Sequence, residues 1–273
     1  MHVCLLRRFL LPVELRNYID MYLYAKLTND TIFHAVVSYL DPIYSQETKS
    51  QMFWLYGTIE WWDTSIVTDM KQLFRMVSNT FNRDISNWDV SNVTNMEKMF
   101  QNAFYFNQPI GKWNVSKVTN MSGMFWGASQ FNQSLANWNV SNVTTMSEMF
   151  FDAALFNQSL ANWNVSKVTT MYRMFKQAFY FDQCLDHWDV SNVEDMSAMF
   201  CLTNRYNQPL SSWKISDTCN RECMFLEAYS FNQSIHSWKV PKNRSTLTGL
   251  LLHARNFNQP LNEWNVSKVE WLD

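Results

Sequence analysis

The stretch Trp138-Asn139-Val140-Ser141-Asn142-Val143-Thr144-Thr145-Met146-Ser147-Glu148-Met149-Phe150, followed by Ala153 and then Phe156-Asn157-Gln158-Ser159-Leu160, decides the fold, because it recurs through most of the chain. Its tryptophan has counterparts at Trp62, Trp88, Trp113, Trp163, Trp188, Trp213, Trp238 and Trp264, with spacings of 26, six times 25, and 26 residues. Nine of the 13 tryptophans thus share one column, and 12 of the 16 methionines fall in two others, as in Met96/Met99, Met121/Met124 and Met146/Met149. A fixed period of this length marks a repeat array, in which each unit is too small to bury a core alone and must stack on its neighbours.

Two periodicities coexist within a unit. Trp138 and Val140 alternate like residues on one face of a strand, whereas Val143, Met146, Met149, Phe150 and Ala153 recur every three or four residues, like one face of a short helix. The pattern predicts an α/β repeat solenoid, leucine-rich-repeat-like, with one short parallel strand and one short helix per unit and strands about 4.8 Å apart. The Phe-Asn-Gln corner, at Phe106-Asn107-Gln108, Phe131-Asn132-Gln133, Phe156-Asn157-Gln158 and Phe231-Asn232-Gln233, is expected to stack as a ladder whose amides satisfy backbone groups in the turn.

Tandem units of this kind resemble the BspA-like leucine-rich-repeat surface proteins. Their repeat, W-[ND]-V-S-x-V-x-x-M-x-x-M-F-x-x-A-x-x-F-N-Q-x-[LI], also occurs in mycoplasma and listeria lipoproteins, in protists and algae, and in large DNA viruses. The likeness covers residues 62 to 270. It implies a leucine-rich-repeat-like solenoid used for adhesion or protein binding, without catalysis.

The chain divides into a helical N-terminal cap over residues 1–61 and a solenoid over 62–273 of about eight repeats plus a truncated last unit. Within the cap, Asp30 to Leu40 carries apolar residues at helical spacing behind a plausible N-cap and stops at Asp41-Pro42, so a capping helix is expected over 30–40. Further upstream, residues 11–23 resemble the opening helix of an F-box through Leu11, Pro12, Glu14, Leu15, Ile19 and Leu23, which implies a Skp1-type partner; the plainer reading is a second cap helix. Late in the array the columns decay, with Arg221 and Thr246 at the first Met position and Thr218 and Asn243 at the second Val position.

Composition narrows the function. A net charge of −2 gives no general attraction to phosphate backbones or anionic membrane surfaces, so neither nucleic acid nor membrane insertion is expected. Arg7-Arg8 breaks the opening apolar run, no A-x-A-like site follows, and no stretch approaches the ~20 apolar residues of a membrane span. The chain therefore reads as soluble and cytoplasmic, in the host cytoplasm or virion if viral. Five cysteines, an odd number, read as reduced thiols. His2, His34, His187, His236 and His253 show no metal spacing, and Cys201, Cys219 and Cys223 read as column variants, so neither metal nor other cofactor is expected. The repeated N-x-[ST] triplets are by-products of the consensus, and no phosphate loop, nucleophile elbow or paired catalytic carboxylate is recognisable.

Since packing fixes the inward columns, partner information lies in the outward ones. Counting from the repeat tryptophan, position W+1 runs Asp63, Asp89, Asn114, Asn139, Asn164, Asp189, Lys214, Lys239, Asn265, a polar stripe that is acidic early and basic late. Position W+13 includes Trp126 and Phe151, which with Leu155 form a candidate apolar contact patch or else tuck against the Phe-Asn-Gln corner. The expected function is a non-catalytic repeat scaffold for protein–protein interaction or assembly, including with copies of itself. A surface adhesin for host protein or glycan and an F-box-like adaptor are the alternatives.

Overall fold

The computed structural model describes residues 24–240, 247–262 and 264. It opens with two helices. Helix α1, Asn29–Leu40, is the expected capping helix; Thr28 and Thr31 form its capping box, and it buries Ile32, Ala35, Val36, Val37 and Ser38. Helix α2, Gln46–Tyr56, was not predicted: Ser45 caps it by accepting from the Thr48 amide, and Met52 is its one buried residue. Gly57 ends it with φ 77°, a conformation that suits a residue without Cβ. Tyr39 of α1 and Tyr56 of α2 set their rings 5.5 and 5.9 Å from that of Trp62, which docks the cap on the first repeat.

The repeats stack in register, but not as an α/β leucine-rich-repeat-like solenoid. Among the described residues they hold no α-helix and no sheet. Their regular structure is a 3-10 turn at Arg75–Val77 and six isolated parallel bridges, Asp69↔Asn95 through Asp195↔Asn220, one residue per unit. Each unit is a coil of successive turns.

The missing strand has a local cause. From Trp62 to Trp188 the residue after each repeat tryptophan folds its side chain onto the backbone two residues on: Asn139 Oδ1 accepts from the Ser141 amide at 3.2 Å, and the Val143 amide then donates to the Val140 carbonyl at 2.9 Å. These Asx turns curl a segment whose Trp and Val are both buried as a strand face would be.

The missing helix has another cause. An α-helix needs consecutive amides to donate four residues back. Here Met146, Glu148, Phe150 and Asp152 donate instead to Thr170, Tyr172, Met174 and Lys176 of the next coil at 2.7 to 3.0 Å, while Met149, Phe151 and Ala153 donate three residues back. Two residues four apart are left-handed, Glu148 at φ 58° and Asp152 at φ 55°, which prevents any helix from propagating. Turns of this length return the chain inward every three or four residues and so imitate helical periodicity.

The inward columns form one continuous core from Leu27 to Trp264. Phe74, Phe100, Phe125, Phe150, Phe175, Phe200 and Phe225 stack at centroid spacings of 5.3 to 5.8 Å. Met96, Met121, Met146 and Met171 are fully buried, as are their partners three residues on. From Trp88 to Trp238 each repeat tryptophan donates its indole N–H to a carbonyl of the preceding unit, as Trp138 Nε1 does to Ile110 at 3.1 Å, whereas Trp264 Nε1 has no partner among the described residues. The Phe-Asn-Gln ladder forms as expected. Asn132 Oδ1 accepts from the Asn157 amide and from Gln158 Nε2 at 2.9 and 3.0 Å, and the same rung repeats from Asn82 to Asn232.

Candidate interaction surfaces

The W+1 stripe is outward, with Asp89, Asn114, Asn139, Asn164, Asp189, Lys214 and Lys239 exposed and Asp63 half-buried. Its acceptors are engaged, however. Asp63, Asp89, Asn114, Asn164 and Asp189 each accept from the amide of the serine two residues on, as Asn139 does. The Ser191 hydroxyl and amide hold the Asp189 carboxyl below the usual carboxylate range. At Asp63, partial burial acts upward, but hydrogen bonds from Ser65 and Lys26 outweigh it and hold the carboxyl low. The stripe builds turns first. The signal was present in the sequence as the recurring [ND]-x-S. Asn265 lies outside the described residues.

Trp126 and Phe151 do come together, their rings 5.2 Å apart and tilted by 32°. Both are half-buried, as is Leu155. Lys98 Nζ sits 5.5 Å from the centre of the Trp126 ring and Lys176 Nζ sits 5.7 Å from that of Phe151, so four successive coils contribute one stacked row, Lys98, Trp126, Phe151, Lys176.

Sequence reasoning missed further pairs of this kind. Arg173 lies over Tyr172 at 4.6 Å and Arg205 over Tyr180 at 4.0 Å. Tyr180, Phe104 and Tyr105 are among the exposed large side chains, at 42%, 44% and 57%. They occupy positions W+16 and W+17, in the turn that follows the W+13 column. The signal was their variability: these positions change from unit to unit while their neighbours do not. Glu148 pairs with Arg173 at 3.7 Å, and partial burial raises the Asp152 carboxyl.

The F-box-like positions Leu11, Pro12, Glu14, Leu15, Ile19 and Leu23 lie outside the described residues. Among the described residues, no three His, Cys, Asp or Glu side chains group so as to hold a metal ion, and no helix is long and apolar enough to cross a membrane. Cys184, Cys201, Cys219 and Cys223 are free thiols. Segments 44–163, 154–251 and 211–273 match the sequence profile of the repeat family DUF285, described as a mycoplasma protein of unknown function. No curated protein and no solved structure matches the chain.

Proposed function

The chain belongs to the DUF285 repeat family, and we propose that it is a non-catalytic scaffold that binds a protein partner along the face carrying Trp126, Phe151, Leu155, Tyr105 and Tyr180. The observation that carries this reading is a division of labour. The repeated polar side chains are spent on turns and ladders, whereas the aromatic and cationic side chains of this face vary between coils and no backbone hydrogen bond depends on them. Trp, Tyr and Arg are the residue types that dominate protein–protein binding energies. Stacking by Lys98 and Lys176 holds the rings in place before contact, which lowers the ordering cost of association. The likeness to BspA-like surface repeats agrees with an interaction role.

The test is quantitative capture from the native host with the chain and with the double variant Trp126→Ser/Phe151→Ser. A partner retained by the chain and lost by the variant, with the melting curve little changed, is the expected result. Equal recovery by both would remove this face from the function.

A further inference from the structure

A second surface, independent of the aromatic face, lies at the N-terminal edge of the stack. At each junction the W+8, W+10 and W+12 amides of one coil donate to the W+7, W+9 and W+11 carbonyls of the next. Thus Met70, Gln72 and Phe74 donate to Asn95, Glu97 and Met99, and Met96, Lys98 and Phe100 donate to Asn120, Ser122 and Met124. The first coil has no such predecessor among the described residues. Its corresponding carbonyls, those of Asp69, Lys71 and Leu73, receive no hydrogen bond from any described residue.

This edge is acceptor-only, because its amides are engaged. The Asp69 amide donates to Asn29 Oδ1, the Lys71 amide to its neighbour Asp69 Oδ1, and the Leu73 amide to the Met70 carbonyl. Helix α1 covers the core beside the edge, but none of its described amides donates to the Asp69, Lys71 or Leu73 carbonyls. Between α1 and the edge lies a groove of about 390 Å³, walled by Asn29, Ile32 and Phe33 on one side and Asp69 to Leu73 on the other. Phe33 is 46% exposed there.

We propose that this groove binds an extended peptide segment of a partner protein, whose alternate amides donate to the Asp69, Lys71 and Leu73 carbonyls while an apolar side chain rests on Phe33. Continuity with the junctions inside the molecule sets the chemistry of the occupant. Carbonyls on alternate residues match the alternate amides of an extended chain, the pairing repeated at each coil boundary. Two copies of this edge cannot pair with one another, because neither offers a donor. A complete coil does not fit, because α1 and the ring of Tyr39 already cover the first tryptophan.

The probe is a fluorescent peptide, acetyl-Lys-Thr-Val-Thr-Ile-Thr-Lys-amide, titrated against the full chain and followed by anisotropy. One version is N-methylated at the threonines and another at the valine and isoleucine. Binding is expected, with one methylation set weakening it about tenfold or more and the other leaving it nearly unchanged, since only one set of amides faces the edge. Phe33→Asp, at an exposed position that leaves the fold intact by circular dichroism, should weaken it similarly. Absence of binding, or equal loss from both methylation sets, would overturn the proposal. So would dispersal of chain oligomers by the peptide, which assigns the edge to a second copy. A photo-crosslink from position 33 to residues 1–23 would likewise overturn it, by assigning the groove to the chain's own N-terminal segment.

Discussion

The coils between Trp88 and Phe181 and those between Thr203 and Trp238 share one backbone but not one core. In the first group every inward column is apolar, and all but the Ile110/Leu135/Leu160 column keep a single residue type. In the second the same columns take polar substitutes. Thr203 stands in the alanine column, Tyr206 in the phenylalanine column, Cys219 beside the valine position and Arg221 in the methionine column, all fully buried. The hydrogen bonds between coils persist regardless: Leu202 still donates to Leu226 at 2.8 Å, Trp213 Nε1 to Leu185 at 2.9 Å, and Gln208 Nε2 to the ladder at 3.0 Å. The backbone ladders therefore set the geometry, and the core residues set how much stability each coil contributes. Some substitutes are satisfied, as Thr203 Oγ1 is by the Phe175 carbonyl at 2.6 Å. Others are not: Tyr206 Oη and Arg221 Nε and Nη2 have no hydrogen-bond partner among the described residues.

The largest effect is expected in the regular coils. Phe150 packs 4.0 Å from Phe156 and stacks between Phe125 and Phe175, with its own side chain fully buried. Phe150→Ala should cost about 3–5 kcal/mol in denaturant unfolding, the transfer term plus the cavity left in a stack that cannot collapse along its axis. A loss below about 1 kcal/mol would show that the ladders alone hold the coils.

Arg221 sharpens the comparison from the other side. Its guanidinium donates from Nη1 to the Lys239 carbonyl at 3.0 Å, and burial pushes its pKa below the usual guanidinium value. Arg221→Met restores the column occupied by Met196 one coil earlier and removes two unsatisfied donors. It should stabilise the chain by about 2 kcal/mol, because a buried charge with incomplete partners costs more than a well-packed apolar side chain. Destabilisation by the same measurement would mean that the guanidinium organises the coils after Trp213.

Much of this was legible in the sequence. The tryptophan ruler gave the period, the inward columns gave the core, and the Phe-Asn-Gln corner gave the ladder, because burial and side-chain amides are written directly in residue type. The secondary structure was not legible, since two turn geometries imitate two regular ones. Trp138 and Val140 point inward across an Asx turn rather than along a strand, and Met146, Met149 and Ala153 point inward through turns interrupted by left-handed Glu148 and Asp152. Glu148 as a residue type does not announce positive φ, and Gly123, Gly127 and Asn102, which do so in the two left-handed columns, come from only two of the units. Helix α2 escaped because a segment that buries only Met52 shows almost no amphipathic pattern. At the aromatic face, Trp126, Phe151 and Leu155 could be named from their columns, but the lysines stacked on them come from coils 25 or more residues away and needed the register to be known.

A smaller gain is expected at Tyr206. Its ring keeps the column, 4.2 Å from Phe200, and burial pushes its phenol well above the usual range because the anion would be isolated among apolar groups. Tyr206→Phe makes that position like Phe156 and Phe181. It should add about 1 kcal/mol, the cost of leaving a hydroxyl unpaired in a core. An unchanged midpoint would indicate that the hydroxyl finds a partner in solution.

The smallest effect tests the left-handed columns, where both groups of coils are alike. Ala198 has φ 53° and its amide donates to the Glu222 carbonyl at 2.8 Å, the same role that Gly123 plays at φ 60°. Two terms oppose one another in Ala198→Gly. Relief of the left-handed conformation is worth about 1–2 kcal/mol, while the added freedom of the unfolded chain costs about 0.4–1 kcal/mol. The balance is a gain of about 0.5 kcal/mol, with the reverse change, Gly123→Ala, losing about as much or slightly more because its new Cβ would come within 2.9 Å of Lys98 Cγ. If both substitutions destabilise the chain, the alanine methyl contributes more through packing than it costs through strain. The left-handed positions would then have to be counted with the core rather than with the turns.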